Sequence, residues 1–234
     1  MISDYLVGNT QYEVKDEINR LIFSSTSDAK NILRCIENMG VEKNSSLLDI
    51  GCGPGSSTAI IREYAPDLKL TGIDYEEKFI SYAKSRKLDI DFQKKNIENT
   101  WFANNEFDFV FSRFVFQHLK HSHLAMSEML RITKKGGSIG IYENDEHLTS
   151  IYPEPRHFKK YIKAKINVRR FSGGDIFFGH KLFHFFHTNN LKNIKFTRLF
   201  RDHTYPGKSD LLKLLIWDNY KDNKMHPYCK FGLM

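Results

Sequence analysis

The stretch Leu47-Leu48-Asp49-Ile50-Gly51-Cys52-Gly53-Pro54-Gly55-Ser56-Ser57-Thr58 reads as a buried strand, a glycine-rich turn and the start of a helix. Glycines at 51, 53 and 55 let the backbone adopt positive φ and come close to a bound small molecule. Residues 59–64, Ala-Ile-Ile-Arg-Glu-Tyr, continue as a helix whose first N–H groups make a natural anion site. A strand, a glycine turn and a helix are the plan by which open α/β sheets hold nucleotide-type cofactors.

Outward from this turn, strands and helices alternate. Lys69-Leu70-Thr71-Gly72-Ile73-Asp74 is a second short strand ending in an acid, and residues 75–86 read as a helix. Ile90-Asp91-Phe92-Gln93 is a third strand and Phe107-Asp108-Phe109-Val110-Phe111-Ser112 a fourth. Residues 121–133 form a helix expected to turn Leu124, Met129, Leu130 and Ile132 inward; Gly136-Gly137 then turns the chain into a fifth strand at 138–143. Residues 192–200 are a sixth strand candidate. This alternation predicts βαβ units and a parallel sheet.

Residues 10–39 read as helices, with Ser27 or Asp28 as the cap of the run holding Ile32, Leu33 and Ile36, and Gly40 as its end. Residues 151–189 read as a helical, aromatic-rich insert. The expected layout is one domain: a helical cap over 1–40, a cofactor-binding core over 41–150, the insert, and a strand and helix over 190–234.

The 234 residues suffice for one large core. No run of about eighteen apolar residues marks a membrane span, and the N-terminus lacks the basic-then-apolar plan of a signal peptide. Cys35, Cys52 and Cys229 have neither metal spacing nor an even disulfide framework, which points to a reducing cytoplasm. Between Arg156 and Arg201 twelve Lys or Arg face one acid, Asp175, within a chain of net charge +7. Such a block suits an anionic partner: an acidic small molecule, nucleic acid or a membrane surface.

Asp74 lies about twenty residues beyond the turn, the separation at which an acid accepts ribose hydroxyls in dinucleotide folds; helix capping is its other role. Tyr75 beside it has a ring suited to cover an adenine face. His118 has the ordinary pKa of a neutral-pH base, and a structural histidine at a helix start is the competing reading. His180, His184 and His187 share one helix face without a supporting acid, so no metal is expected there.

The spacing Asp49-x-Gly51-x-Gly53-x-Gly55 differs from the dinucleotide G-x-G-x-x-G. It resembles the first motif of class I S-adenosylmethionine (SAM)-dependent methyltransferases, D-x-G-x-G-x-G. Ser112-Arg113-Phe114-Val115-Phe116-Gln117-His118-Leu119 is similar to the methyltransferase pattern S-x-F-V-L-x-H-L. Tyr5, Gly8, Glu13 and Arg20-Leu21 resemble the N-terminal segment of some small-molecule methyltransferases. Glu143, Asp145, Pro153 and Pro155 resemble that group's entry into its insert. Together these cover residues 5 to about 200.

The resemblance implies a Rossmann-like α/β fold with a mostly parallel sheet of six or seven strands, a helical cap and an insert after the fifth strand. It implies SAM as cofactor, with Asp49, Gly51, Cys52, Gly53 and Gly55 around its amino-acid end. Asp74 and Tyr75 would serve the ribose and adenine; Asn96, standing where the family more often has an acid, and Ile97 would serve the adenine edge. Ser112 and Arg113 would line the sulfonium, and Tyr5, Tyr12 and Arg20 would close the site. His118 and Tyr5 are the first catalytic candidates, followed by Tyr12 and His147.

The chain lacks the Asn/Asp-Pro-Pro-Tyr signature of nucleic-acid amine methylation and the Pro-Cys pair of cytosine C5 methylation. Ser112-Arg113 stands where metal-dependent catechol methyltransferases need an acid, so a metal is not expected. The implied reaction is methyl transfer to a small, anionic O, N or C acceptor. An RNA-modifying methyltransferase and a non-catalytic SAM-binding protein are the rivals. A seventh strand, usually hairpin-paired with the sixth, has no counterpart after residue 200, leaving an edge that a homodimer would cover.

Overall fold

A computed structural model describes residues 11–150 and 152–199. Five parallel strands form one sheet in the order β3-β2-β1-β4-β5: β1 Ser46–Ile50, β2 Lys69–Asp74, β3 Asp91–Lys94, β4 Phe107–Arg113 and β5 Thr133–Tyr142. The strand order reverses between β1 and β4, and ligand crevices of open α/β sheets lie at that point, beyond the carboxyl ends of the strands.

Seven helices flank the sheet among the described residues: α1 Gln11–Ser27, α2 Ala29–Asn38, α3 Ser56–Tyr64, α4 Glu77–Ser85, α5 Ser122–Ile132, α6 Phe158–Phe171 and α7 Phe178–Thr188. On one face Leu47, Leu70, Phe109 and Phe111 pack against Ile32 and Ile36 of α2 and Ile61 of α3. On the other, Leu48, Ile50, Ile73 and Val110 meet Ala125, Met129 and Ile132 of α5 and Phe178 and Leu182 of α7. Ile32 and Ile36 are fully buried, each contributing about 1.5–3 kcal/mol. The N-terminal region thus supplies a core layer through α2, and the insert supplies one through α7.

The sheet departs from its expected size. Residues 192–199, expected as a sixth strand, form no strand, and the described sheet has five strands rather than six or seven. The remaining expected C-terminal elements, and Tyr5 and Gly8 of the N-terminal motif, lie outside the described residues. β5 begins earlier than expected: it runs through Gly136 and Gly137, with a register shift against β4 between Phe107 and Phe109 and Gly136 at φ +83°. The glycines mark a bulge within the strand, not a turn before it.

Two side-chain expectations also change. Leu124 and Leu130 of α5 are exposed; the inward stripe is Ala125, Met126, Met129 and Ile132, whose spacing follows one helical face. Asp28 precedes α2 but makes no side-chain cap bond there. Its carboxylate instead accepts from Arg113, Asn31 and Tyr142.

Candidate functional site

The glycine turn forms the floor of the site. Gly51 and Cys52 both donate to the carbonyl of Ile73 on β2, at 2.8 and 3.0 Å. Gly51, Gly53 and Gly55 have φ of +69°, +55° and +75°, and Gly55 is the N-cap of α3. A Cβ on Gly51 would stand 2.2 Å from Cγ2 of Val115, and one on Gly55 would stand 2.6 Å from the ring of Phe92. Backbone conformation and close approach both demand glycine at these two positions.

Asp74 locks this turn to the sheet. Its Oδ2 accepts the Gly53 N–H at 2.8 Å and its Oδ1 the Glu76 N–H at 2.9 Å. Burial pushes its carboxyl above the ordinary value, while these amides oppose the shift. Each oxygen retains a further acceptor site, so ribose hydroxyls remain chemically compatible with the clamp. Tyr75 is exposed beside it. Asn96 accepts the Glu98 N–H at 2.9 Å through Oδ1, while Ile97 is buried in the core.

Asp49 is buried beneath the turn and accepts the Thr58 hydroxyl at 2.7 Å. Burial lifts its pKa to about 7. Cys52 is likewise buried, against Ile80, Ala83 and Phe92, and burial raises its thiol pKa well above the usual value. The side chains of both are inside the fold.

At the end of β4, Ser112 is fully buried, and its Oγ has no hydrogen-bond partner among the described residues. Arg113 is directed the other way. Its guanidinium donates to Asp28 at 2.9 Å and to the Ser24 carbonyl at 3.1 Å, and stacks over Phe114. What Arg113 offers the crevice is therefore backbone.

His118 lies in a 3-10 turn, Phe116–His118, and contacts Arg169 of α6 through Nδ1. Desolvation first, then the charges of Arg169, Arg20 and Lys165, holds its imidazole well below the usual 6.5. Guanidinium carries only N–H donors, so Nδ1 accepts and the neutral ring keeps its proton on Nε2. Of the two roles weighed from the sequence, base and structural histidine, this arrangement resembles the second, with the ring offering a donor. Arg20 also pairs with Glu17 at 2.5 Å, and Lys165 pairs with Glu146. The side chains of Tyr12 and His147 fall outside the described ones.

Glu143, which the sequence marks only as part of the entry into the insert, stands at the carboxyl edge of the sheet. Its Oε1 accepts the Phe116 N–H at 2.6 Å, and desolvation pushes its carboxyl up to about 8. Its place just after the last residue of β5, at the carboxyl edge of the sheet, is the signal that would have found it. Among the described residues no group of three His, Cys, Asp or Glu is placed to hold a metal, and no helix is long and apolar enough to cross a membrane.

Residues 48–141 match the family described as methyltransferase domain. Residues 48–141 are a class I SAM-dependent methyltransferase domain. An uncharacterized methyltransferase of Schizosaccharomyces pombe is 30% identical over 139 residues, 55% of this chain and 50% of that protein. Trans-aconitate 2-methyltransferase of Rhizobium rhizogenes is 31% identical over 118 residues, 50% of this chain and 44% of that protein. The chain thus spans about half the length of the curated relatives it matches. A methyltransferase structure from Methanococcus maripaludis shares the fold, with a TM-score of 0.53 and 21% identity over 70% of this chain and 84% of that one. In the methyltransferase domain the glycine turn and Asp74 come from β1 and β2, whereas Arg169 and Lys165 come from beyond it.

Proposed function

We propose that this protein transfers the methyl group of SAM to a nucleophilic O, N or C atom of a small anionic molecule. One observation carries the acceptor reading: Arg169 of α6 contacts His118 Nδ1 at the carboxyl end of the sheet, and Lys165 of α6 and Arg20 of α1, each paired with a carboxylate, add positive charge around the same ring. Converging cations on a partly buried surface suit a carboxylate or phosphate. The trans-aconitate enzyme among the relatives is named for an acidic acceptor, which agrees with this choice.

The residues fit the cofactor. Gly51, Gly53 and Gly55 hold the turn at positive φ, and Asp74 has acceptor capacity left. In this reading Gly51, Cys52, Gly53 and Gly55 receive the amino-acid end through their backbone, with Asp49 fixing the turn from below. Asp74 and Tyr75 serve the ribose and adenine, Asn96 and Ile97 the adenine edge, and the Ser112 and Arg113 backbone the sulfonium; Tyr12 and Arg20 close over it. Bound, the cofactor supplies an already activated methyl group, so the chain's task is proximity and exclusion of water. Free thiols at Cys35 and Cys52 support a cytoplasmic setting. β5 is an outer strand of the described sheet, and a homodimer formed there is part of the proposal.

Calorimetric titration with SAM, followed by methyl-transfer assays on carboxylate- and phosphate-bearing acceptors, tests the reading. Failure to bind SAM ends it. A second reading, RNA modification, draws on the exposed face of α6, where Lys159, Lys160, Lys163 and Arg170 line up. Steeply salt-dependent RNA binding would favour it.

A further inference from the structure

Val115, Phe116 and Glu143 link the glycine turn to the acceptor side of the crevice. Val115 fills the space over Gly51, and the next residue, Phe116, donates its N–H to Glu143 Oε1 at 2.6 Å. The Glu143 carboxyl is therefore anchored one residue from the cofactor turn. Its second oxygen, Oε2, is buried and has no hydrogen-bond partner among the described residues. A native structure rarely leaves a buried carboxyl oxygen unsatisfied, and such a group marks a place for a ligand or a catalytic role. Glu143 also lies two residues beyond Ile141, the β5 partner of Ser112, whose buried Oγ likewise has no hydrogen-bond partner among the described residues.

The neighbouring groups leave Glu143 as the base. Arg169 of α6 bears on it electrostatically, and the same guanidinium contacts His118 Nδ1, which keeps that neutral ring's proton on Nε2 and its lone pair engaged. Lys165 and Arg20 add charge around His118, and Glu146 is committed to Lys165. Resting on the methyl-transfer reading above, we propose that Glu143 Oε2 takes the proton of the methyl acceptor, which is therefore a hydroxyl or N–H compound. A carboxylate or tertiary amine has no proton to give and needs no base. The proton moves from the acceptor O–H or N–H to Oε2, and the lone pair so freed bonds the methyl carbon. The pair of the broken S–C bond stays on sulfur as a neutral thioether.

Two cofactor analogues test this without knowledge of the acceptor. S-adenosylhomocysteine lacks the methyl, whereas sinefungin carries an amine at that place. If Oε2 faces the reacting methyl, the wild type prefers sinefungin by at least about tenfold. Titrations at pH 7 in buffers of different ionisation enthalpy then also show proton release on binding sinefungin, as the ammonium draws Glu143 into its ionised form. Glu143→Gln keeps an oxygen for the Phe116 N–H and loses both the preference and the proton release, with affinity for S-adenosylhomocysteine unchanged. A preference that survives in Glu143→Gln overturns the proposal. So does a wild type without preference or proton release, a result that needs no variant to fold. Binding of neither analogue would instead overturn the cofactor reading, and this inference with it.

Discussion

The guanidinium of Arg113, at the end of β4, donates to Asp28 Oδ2 at 2.9 Å across 85 residues of sequence. The two side chains are 7% and 1% exposed. The pair fastens the α1–α2 junction beneath the sheet, and Tyr142 of β5 donates to the other Asp28 oxygen at 3.1 Å. Removing one partner strands a buried charge, so Asp28→Ala is expected to lower stability by about 3–5 kcal/mol. Urea unfolding measures this, and a loss below about 1 kcal/mol would mean that water, not Asp28, satisfies Arg113.

Gly51→Ala combines an unfavourable φ with a Cβ placed 2.2 Å from Val115 Cγ2. It is expected to weaken S-adenosylhomocysteine binding by more than about tenfold. Val115→Ala in the same chain relieves the clash but not the backbone strain, so recovery is partial. Calorimetry on the single and double variants checks this; full affinity in Gly51→Ala removes the close-approach argument.

Asp49 makes stability fall as pH rises. Burial lifts its folded pKa to about 7, against 3.8 for the ordinary carboxyl. Between those values the folded state holds a proton that the unfolded state has released, so each pH unit removes up to ~1.4 kcal/mol. Asp49→Asn still accepts from Thr58 and does not titrate. Its stability is expected to decline less than that of the wild type from pH 5 to pH 7 in urea melts. Parallel slopes for the two proteins would refute the assignment.

Arg169 depresses His118, after desolvation, through direct contact at Nδ1. Arg169→Met is expected to raise the His118 pKa without restoring it fully to 6.5, because desolvation remains. Histidine NMR titration reads the shift directly. With an acceptor in hand, Arg169→Glu should raise its KM and leave SAM affinity unchanged. Arg170→Glu, on the exposed face, should do much less. An unaltered His118 titration would place Arg169 away from the ring in solution.

Most elements of the sheet were legible because their signals are local. Strand β2 occupies the residues expected of it, 69–74, and its terminal acid stands close to the glycine turn as its spacing implied. The inward face of α5 is not legible in the sequence because Leu124 and Leu130 are as apolar as the residues that are buried. Only contact with Val110 and Ile50 selects the stripe through Ala125 and Met129. A glycine pair permits a turn or a bulge, and pairing with β4 decides for the bulge at Gly136.

The sequence by itself determined the cofactor-type turn, since a strand, three glycines and a helix start are dictated by backbone sterics within a few residues. It also determined the parallel order of βαβ units, which follows from hydrophobic period and connection length. Only the tertiary structure decided what the polar side chains at the strand ends do. It turned Arg113 to Asp28, tied His118 to Arg169 across 51 residues, and set Glu143 on the Phe116 amide across 27. Those choices depend on which charges and unpaired donors meet once the sheet has closed, and no local propensity encodes that meeting.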